Sequence, residues 1–348
     1  MIISNEVELD FDDVLLLPNR SKAASRSDVI VTRRFQFYHS SRIFDGIPIM
    51  AANMSSVGTV EMAKTLSYYG ALCAIHKHYT AEELYTKFPI HEKVWYTTGI
   101  REEDLAKLES FYDMLHQPNI VVDVPNGYTD KFVETCGIIR KKCPGSIIMA
   151  GNVCTGEMVQ ELILHGGVDI VKVGIGPGKN CSTRYMTGIG RPQLSAIMEC
   201  ASVAHNLKNG EKRLGLVCAD GGCSTPGDVC KAFAAGADFV MLGSMFAGCD
   251  ECDGEWKYDE MDFSNPKTKV SMTHYGMSSE YAQNLHYGGK KDYITPEGIV
   301  TEVPYKGSAK DVLNDILGGI RSCCTYLGTD NIKYMNRHAR FVRVNRIK

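Results

Sequence analysis

Eight short apolar runs recur along this chain with a helix-length segment between most of them, and that rhythm limits the fold more than any other feature. The runs are Ile47–Ala51, Ala71–Ile75, Val94–Thr98, Ile120–Val124, Ile147–Ala150, Ile170–Val173, Leu214–Cys218 and Phe239–Leu242. Most begin about 22 to 28 residues apart, room for one strand, one helix and their loops. Amphipathic stretches fill the intervals, among them Val60–Tyr69, Glu103–Leu115, Asp130–Lys142 and Pro192–His205. The pattern is that of βα units around a parallel sheet. Eight such units close into a (β/α)8 TIM barrel more readily than they stack as an open sheet.

Two intervals break the rhythm. A glycine-rich loop from Gly174 to Arg191 follows the sixth run, and after the eighth lies a polar, weakly periodic stretch from Gly248 to Lys306. The first is expected to be a mobile active-site loop and the second, about residues 250–306, a C-terminal flap or lid. The flap's aromatic content (Trp256, Tyr258, Tyr275, Tyr281, Tyr287, Tyr293) argues against disorder. Asp311–Leu317 reads as a final helix stopped by Gly318-Gly319, so 307–348 is expected to be a C-terminal helix and tail. Residues 1–348 then form one domain without internal repeats beyond the βα unit.

A net charge of −3 gives no reason to expect a nucleic acid or an anionic membrane as partner. The basic stretch Arg337–Lys348 reads as a solvated tail or a subunit contact. Thirteen cysteines without a secretory signal, many inside apolar runs, point to free thiols in a reducing, cytoplasmic compartment. Cys249 and Cys252 have C-x-x-C spacing but no second ligand pair, so a zinc site is not expected.

In a TIM barrel the chemistry sits in the loops after the strands. After the seventh and eighth runs come Asp220-Gly221-Gly222 and Gly243-Ser244, where barrels often bind a phosphate through backbone N–H groups. Asp220 repels a phosphate and is expected to accept from hydroxyls such as those of a ribose. The loop after the sixth run matches neither a Walker loop nor a Rossmann fingerprint, but it places Cys181 on the catalytic face. A thiol there can be deprotonated and attack an electrophilic carbon, which a buried thiol cannot. Thr183 is near enough to share that site. His76 and His78, just past the second run, are expected to point in opposite directions.

Several segments together resemble the IMP dehydrogenase/GMP reductase family. They are Leu9–Leu16, Ala51–Met54, Ala74–Tyr79, Ala150–Val153, Val173–Arg184, Asp220–Gly222, Gly236–Gly243 and Tyr275–Ser279. The likeness spans essentially the whole chain. Only about twenty residues separate His76 from Val94, which leaves no room for the regulatory CBS insert of the dehydrogenase branch. Residues 280–300 contain no arginine, whereas the dehydrogenase flap carries an Arg-Tyr pair. Pro296-Glu297-Gly298, Glu302–Gly307 and Asp315–Ser322 are instead similar to the reductase branch.

That resemblance implies conversion of GMP to IMP and ammonia, with NADPH as hydride donor and Cys181 as the nucleophile at C2 of the base. Thr183 and Glu297 would relay the proton. Asp220, Gly221, Gly222, Gly243 and Ser244 would hold ribose and phosphate, and Gly276, Met277 and Ser278 the base. Lys77, Asp123, Gly176 and Ser322, with Ser25 and Arg26 from a neighbouring subunit, would hold the dinucleotide. Carbonyls of Gly176, Gly178 and Cys181 are similar to a monovalent-cation site, for K+, and the family pattern implies a homotetramer. Three places depart from the reductase pattern: Lys179-Asn180 before the nucleophile, Ser55-Ser56 where Asp-Thr is usual, and Ile294 where arginine is usual. Two other readings compete: a dehydrogenase lacking regulatory domains, and a phosphate-binding barrel without catalysis.

Overall fold

The eight apolar runs become eight parallel strands that close on themselves, in the computed structural model of residues 3–21, 25–88, 95–115, 117–259, 268–289 and 292–345. They are β1 (Ile49–Ala51), β2 (Leu72–Ile75), β3 (Trp95–Thr98), β4 (Asn119–Asp123), β5 (Ile148–Val153), β6 (Ile170–Val173), β7 (Leu216–Asp220) and β8 (Phe239–Leu242). Each lies within a few residues of the expected run; Val94, the expected start of the third, lies outside the described residues. Pairing of Val240 with Ile49 closes the barrel between β8 and β1.

Side-chain alternation divides the core into two layers. Along β4, Ile120 and Val122 face the surrounding helices while Val121 faces the barrel interior. Met50, Trp95, Met149, Ile170 and Phe239 fill that interior. A hairpin of Arg33–Gln36 and Ile43–Gly46 plugs its N-terminal end, with Phe35 and Phe44 5.1 and 5.2 Å from the Phe239 ring. Burying each such side chain contributes about 1.5–3 kcal/mol.

The helices are α1 (Val60–Tyr68), α2 (Ala81–Lys87), α3 (Glu102–Leu115), α4 (Asp130–Lys142), α5 (Gly156–Leu164), α6 (Gln193–Asn206) and α7 (Pro226–Ala234). Threonine hydroxyls accept from first-turn N–H groups at the starts of α1, α2, α4 and α7, each cap worth about 1 kcal/mol.

The segment after β8 is more regular than its sequence suggests. It contains β9 (Trp256–Tyr258), β10 (Lys269–Tyr275), α8 (Glu280–Tyr287) and β11 (Val300–Pro304), with the three strands forming one antiparallel sheet. In β10 the buried positions include Ser271 and His274 while Val270 is exposed, so the apolar alternation is scrambled. The final helix also differs from expectation: α9 runs from Ala309 to Leu327, straight through Gly318-Gly319, and stops at Gly328, whose φ is +77°. Gly319 serves close approach, since a Cβ there would lie 2.5 Å from Pro226 Cβ at the start of α7. The basic C-terminal stretch is no simple solvated tail either, because Phe341–Arg343 pairs antiparallel with Val14–Leu16. Its last three residues, 346–348, lie outside the described residues.

Candidate active site

The C-terminal ends of the strands surround a cavity of about 340 Å³, roofed by the loop after β6 and by the flap. Cys181, Thr183 and Glu297 meet at its wall. The Cys181 thiol donates to Thr183 Oγ1 at 3.2 Å, and the Thr183 hydroxyl donates to Glu297 Oε2 at 2.6 Å. Backbone pairing fixes this register, with Ser182 N–H donating to the Glu297 carbonyl at 2.8 Å and Ile299 N–H to that of Asn180 at 3.0 Å. Glycine makes the approach possible: a Cβ on Gly276 would lie 2.6 Å from the Asn180 carbonyl oxygen, and one on Gly298 2.8 Å from Ser279 N.

Burial pushes most of the other thiols up, Cys143 and Cys252 to about 11 and Cys136 and Cys324 to about 12, and Cys223, which also lines the cavity, well above its ordinary value. Among the described residues no cluster of three His, Cys, Asp or Glu side chains suits a metal ion. Cys181 is half-buried and faces the cavity, where a thiolate can reach a bound electrophile.

The floor carries a feature that the sequence reading missed. Lys172, buried inside β6, places its Nζ 2.9 Å from Asp123 at the end of β4 and 2.6 Å from Asp220 at the end of β7. Burial alone would lower the lysine's pKa, but the two carboxylates raise it, so the ammonium stays charged. Burial likewise works to raise the Asp123 pKa, and Lys172 together with the Asn53 amide, 2.9 Å away, holds it below the usual value. Asn152 donates to Asp220 at 2.9 Å. The Asp220 oxygens are thereby turned to the cavity floor, placed to accept from a ligand's hydroxyls.

Beside Asp220 the backbone opens. Gly221 and Gly222 both have φ of +86°, a conformation that side chains rarely adopt, and with Gly243 and Ser244 they line the same end of the cavity. Two backbone turns edged with N–H groups and no side chains suit a phosphate. Gly276, Met277, Ser278, Lys77 and Gly176 line the same cavity. In the loop after β6 the Gly178 carbonyl accepts from Cys181 N–H at 2.9 Å, while those of Gly176 and Cys181 accept no hydrogen bond among the described residues. Such carbonyl oxygens suit a hard monovalent cation.

Ser25, Arg26 and Ser322 are not part of this cavity. Ser25 caps the short turn Arg26–Asp28, which packs against α9, the helix that carries Ser322. Three of the residues that depart from the reductase pattern, Ser55, Ser56 and Asn180, tie the flap down. Ser55 Oγ lies 3.1 Å from the Tyr275 hydroxyl and 3.1 Å from His286 Nε2, and Ser56 Oγ lies 3.1 Å from His274 Nδ1. The Asn180 amide donates to Thr301 Oγ1 at 2.8 Å and to the His274 carbonyl at 3.2 Å. Ile294 lies outside the cavity wall and is exposed. His76 and His78 do not point in opposite directions, because β2 has ended at Ile75 and strand alternation no longer applies. Their rings lie 5.5 Å apart, with His76 stacked on Tyr79 and His78 on His286 of α8 at 3.7 Å.

The model of the IMP dehydrogenase / GMP reductase domain matches residues 8–89 and 91–347. The chain is 48% identical to human GMP reductase 1 over 347 residues, which are 98% of this chain and 96% of that protein. It is 49% identical to human GMP reductase 2 over the same span and coverage. It is 46% identical to the GMP reductase of Serratia proteamaculans (strain 568) over 352 residues, 99% of this chain and 97% of that one.

Proposed function

The chain belongs to the IMP dehydrogenase/GMP reductase family, and we propose that within it the protein is an oxidoreductase that reduces GMP to IMP and ammonia. The observation that carries the reading is the hydrogen-bonded line from Cys181 through Thr183 to Glu297, at the wall of a cavity whose far end suits a ribose phosphate.

In this reading Asp220 takes the ribose hydroxyls, and Gly221, Gly222, Gly243 and Ser244 take the phosphate. The base then lies between Cys181 and Gly276, Met277 and Ser278. The Cys181 sulfur adds to C2 of guanine, and Thr183, backed by Glu297, gives a proton to the amino group. Ammonia leaves with the C2–N bond, and a C2–S bond remains. When bound, NADPH would supply the hydride that takes the place of sulfur at C2. The C2–S electrons then return to Cys181 as IMP forms. A covalent adduct splits one difficult displacement into two easier ones, and a positioned acid–base pair is worth about 10²–10⁴ in rate.

Lys77 and Asp123 line the cavity and fit the inner end of the dinucleotide. The cavity, at about 340 Å³, is too small for a mononucleotide and a whole dinucleotide together. That supports an outer end held by Ser25 and Arg26 of a second copy, within a homotetramer, and Ser322 adjoins those two positions on its own chain. A K+ on the Gly176, Gly178 and Cys181 carbonyls would fix the loop that carries the nucleophile. One barrel domain without a regulatory insert, the flap closing over residues 174–191, agrees with the continuous match to relatives of the same length. Among the described residues no helix is long and apolar enough to cross a membrane. Thirteen unpaired cysteines support a reducing, cytoplasmic setting.

The test is absorbance at the reduced-nicotinamide band. The reading expects NADPH to be consumed only with GMP present, with IMP and ammonia in equal amounts. Reduction of NAD with IMP, and no reaction with GMP, would instead make the enzyme a dehydrogenase and overturn the assignment.

A further inference from the structure

A second cavity, larger than the one beside Cys181, lies at the opposite end of the barrel. It occupies about 780 Å³ beneath the N-terminal ends of β7 and β8, between the plugging hairpin and the C-terminal segment. Its wall carries six Arg and Lys side chains (Arg33, Arg34, Lys212, Arg213, Lys333 and Arg337) against two carboxylates, Glu211 and Asp238. In a chain of net charge −3 that is a local excess of four positive charges in one hollow.

The cations are not neutralised by one another's partners. Asp238 is buried and serves the barrel floor, accepting from Val217 N–H at 3.1 Å. The same carboxylate lies 2.8 Å from His205 Nε2, 3.5 Å from Arg33 and 3.6 Å from Arg213, so one negative charge faces three groups able to be positive. Arg34 is held by Asp45 at the surface, at 3.4 Å. Lys212, Lys333 and Arg337 have no carboxylate partner among the described residues. His39, also in the wall, has a buried Nε2 without a hydrogen-bond partner there. Burial, with Arg213 close by, makes the charged form of Arg33 harder to hold, and Asp238 offsets only part of this. Like charges gathered around an open volume repel until an anion enters, and several fixed cations match several linked phosphates better than a single one.

We infer that this hollow binds an oligophosphate anion, with Lys212, Lys333 and Arg337 at its mouth and Arg33 and Arg213 at its base. Free polyphosphate and the tail of a nucleoside triphosphate share that chemistry. The exposed Tyr38 ring on the wall gives a nucleoside a surface to stack on. The site is independent of the reaction proposed for Cys181.

Calorimetric titration of the full-length protein, saturated with GMP and free of divalent cations, tests it with sodium tripolyphosphate and with ATP. Binding of tripolyphosphate is expected, weakened at least tenfold in a Lys212→Ala/Lys333→Ala variant. Both side chains are exposed, so the variant should fold and turn over GMP like the parent. A charge-matched control, Lys131→Ala/Lys141→Ala on α4, should bind like the parent. If ATP binds and tripolyphosphate does not, with the same loss in the variant, the site stands and reads the nucleoside as well. No heat from either probe at millimolar concentration, or binding that the Lys212/Lys333 change leaves untouched, would overturn the inference.

Discussion

Replacing Lys172 by Met is the most informative single change the structure suggests, because it removes one cation from between two carboxylates. The Nζ sits 2.9 and 2.6 Å from Asp123 and Asp220, and its side chain is 3% exposed. At an effective dielectric of about 20, each contact has a gross attraction of about 6 kcal/mol, offset in part by the desolvation of the lysine. Breaking a buried pair by removing one partner costs about 3–5 kcal/mol. The carboxylates retain 31% and 19% exposure, so water can rehydrate them, and the lower end, about 3 kcal/mol, is expected at pH 7.5.

The sign with pH follows from the same contacts. In the parent, the Asp123 pKa is held below its unfolded value, so that stability is present above the unfolded value and lost only as pH falls through the folded one. Without the lysine, two carboxylates face each other and take up a proton more readily than when unfolded. The variant is then penalised at high pH and recovers as pH falls. Urea unfolding at pH 7.5 and 5 should therefore show a gap of about 3 kcal/mol that narrows in acid, and adding Asp123→Asn should recover about half of it at pH 7.5. The variant's KM for GMP should rise at least about tenfold as Asp220 loses its orientation. A gap below about 1 kcal/mol, or one independent of pH, would refute the view that Lys172 restrains both carboxylates.

Adjacent glycines in α9 should respond in opposite directions. Gly318→Ala fills open space in a helix and should stabilise by about 0.5–1 kcal/mol, whereas Gly319→Ala meets Pro226 and should destabilise by about 1–3 kcal/mol, as melting curves would show. Burial lowers the pKa of His76 to about 3 and of His274 to about 4, against about 6.5 when unfolded, so both stay neutral in the fold. Folding stability is then complete above about pH 6.5 and falls by about 1.4 kcal/mol per unit for each histidine as pH drops towards 4. A His274→Asn variant should show a shallower loss in urea midpoint between pH 6.5 and 5, and an unchanged slope would count against it. Gly276→Ala should keep the barrel intact but unseat the flap from Asn180, lowering kcat/KM at least about tenfold with little change in the urea midpoint.

The barrel was legible in the sequence because each parallel strand is covered on both faces and so appears as an unbroken apolar run. Gly221-Gly222 after β7 and Gly243-Ser244 after β8 read as a candidate phosphate cradle by their position alone. Spacing could not join Glu297 to Thr183, which are brought together by a flap whose strands pair across a loop; only the family likeness marked that glutamate. Lys172 was overlooked because a charge inside Ile170–Val173 reads as an interruption until Asp123 and Asp220 are seen at the ends of strands β4 and β7. Gly318-Gly319 misled for a related reason. Glycine weakens a helix locally, but packing of α9 against α7 outweighs that preference and puts Gly319 to use. In β10, buried Ser271 and His274 find partners in Glu302 and Ser56, so the strand lacks the apolar alternation that would have revealed it.

The central claim is that the Cys181 sulfur forms a bond to the purine, and intact-protein mass measurement tests it most directly. The protein is mixed with GMP without the nicotinamide coenzyme, quenched in acid and weighed. The account predicts a mass increase equal to GMP less ammonia, located by peptide mapping to Cys181 and missing in Cys181→Ala, with a smaller yield in Glu297→Gln. No adduct in the parent, or an equal adduct in Cys181→Ala, would contradict it, the more plainly if the parent still reduces GMP.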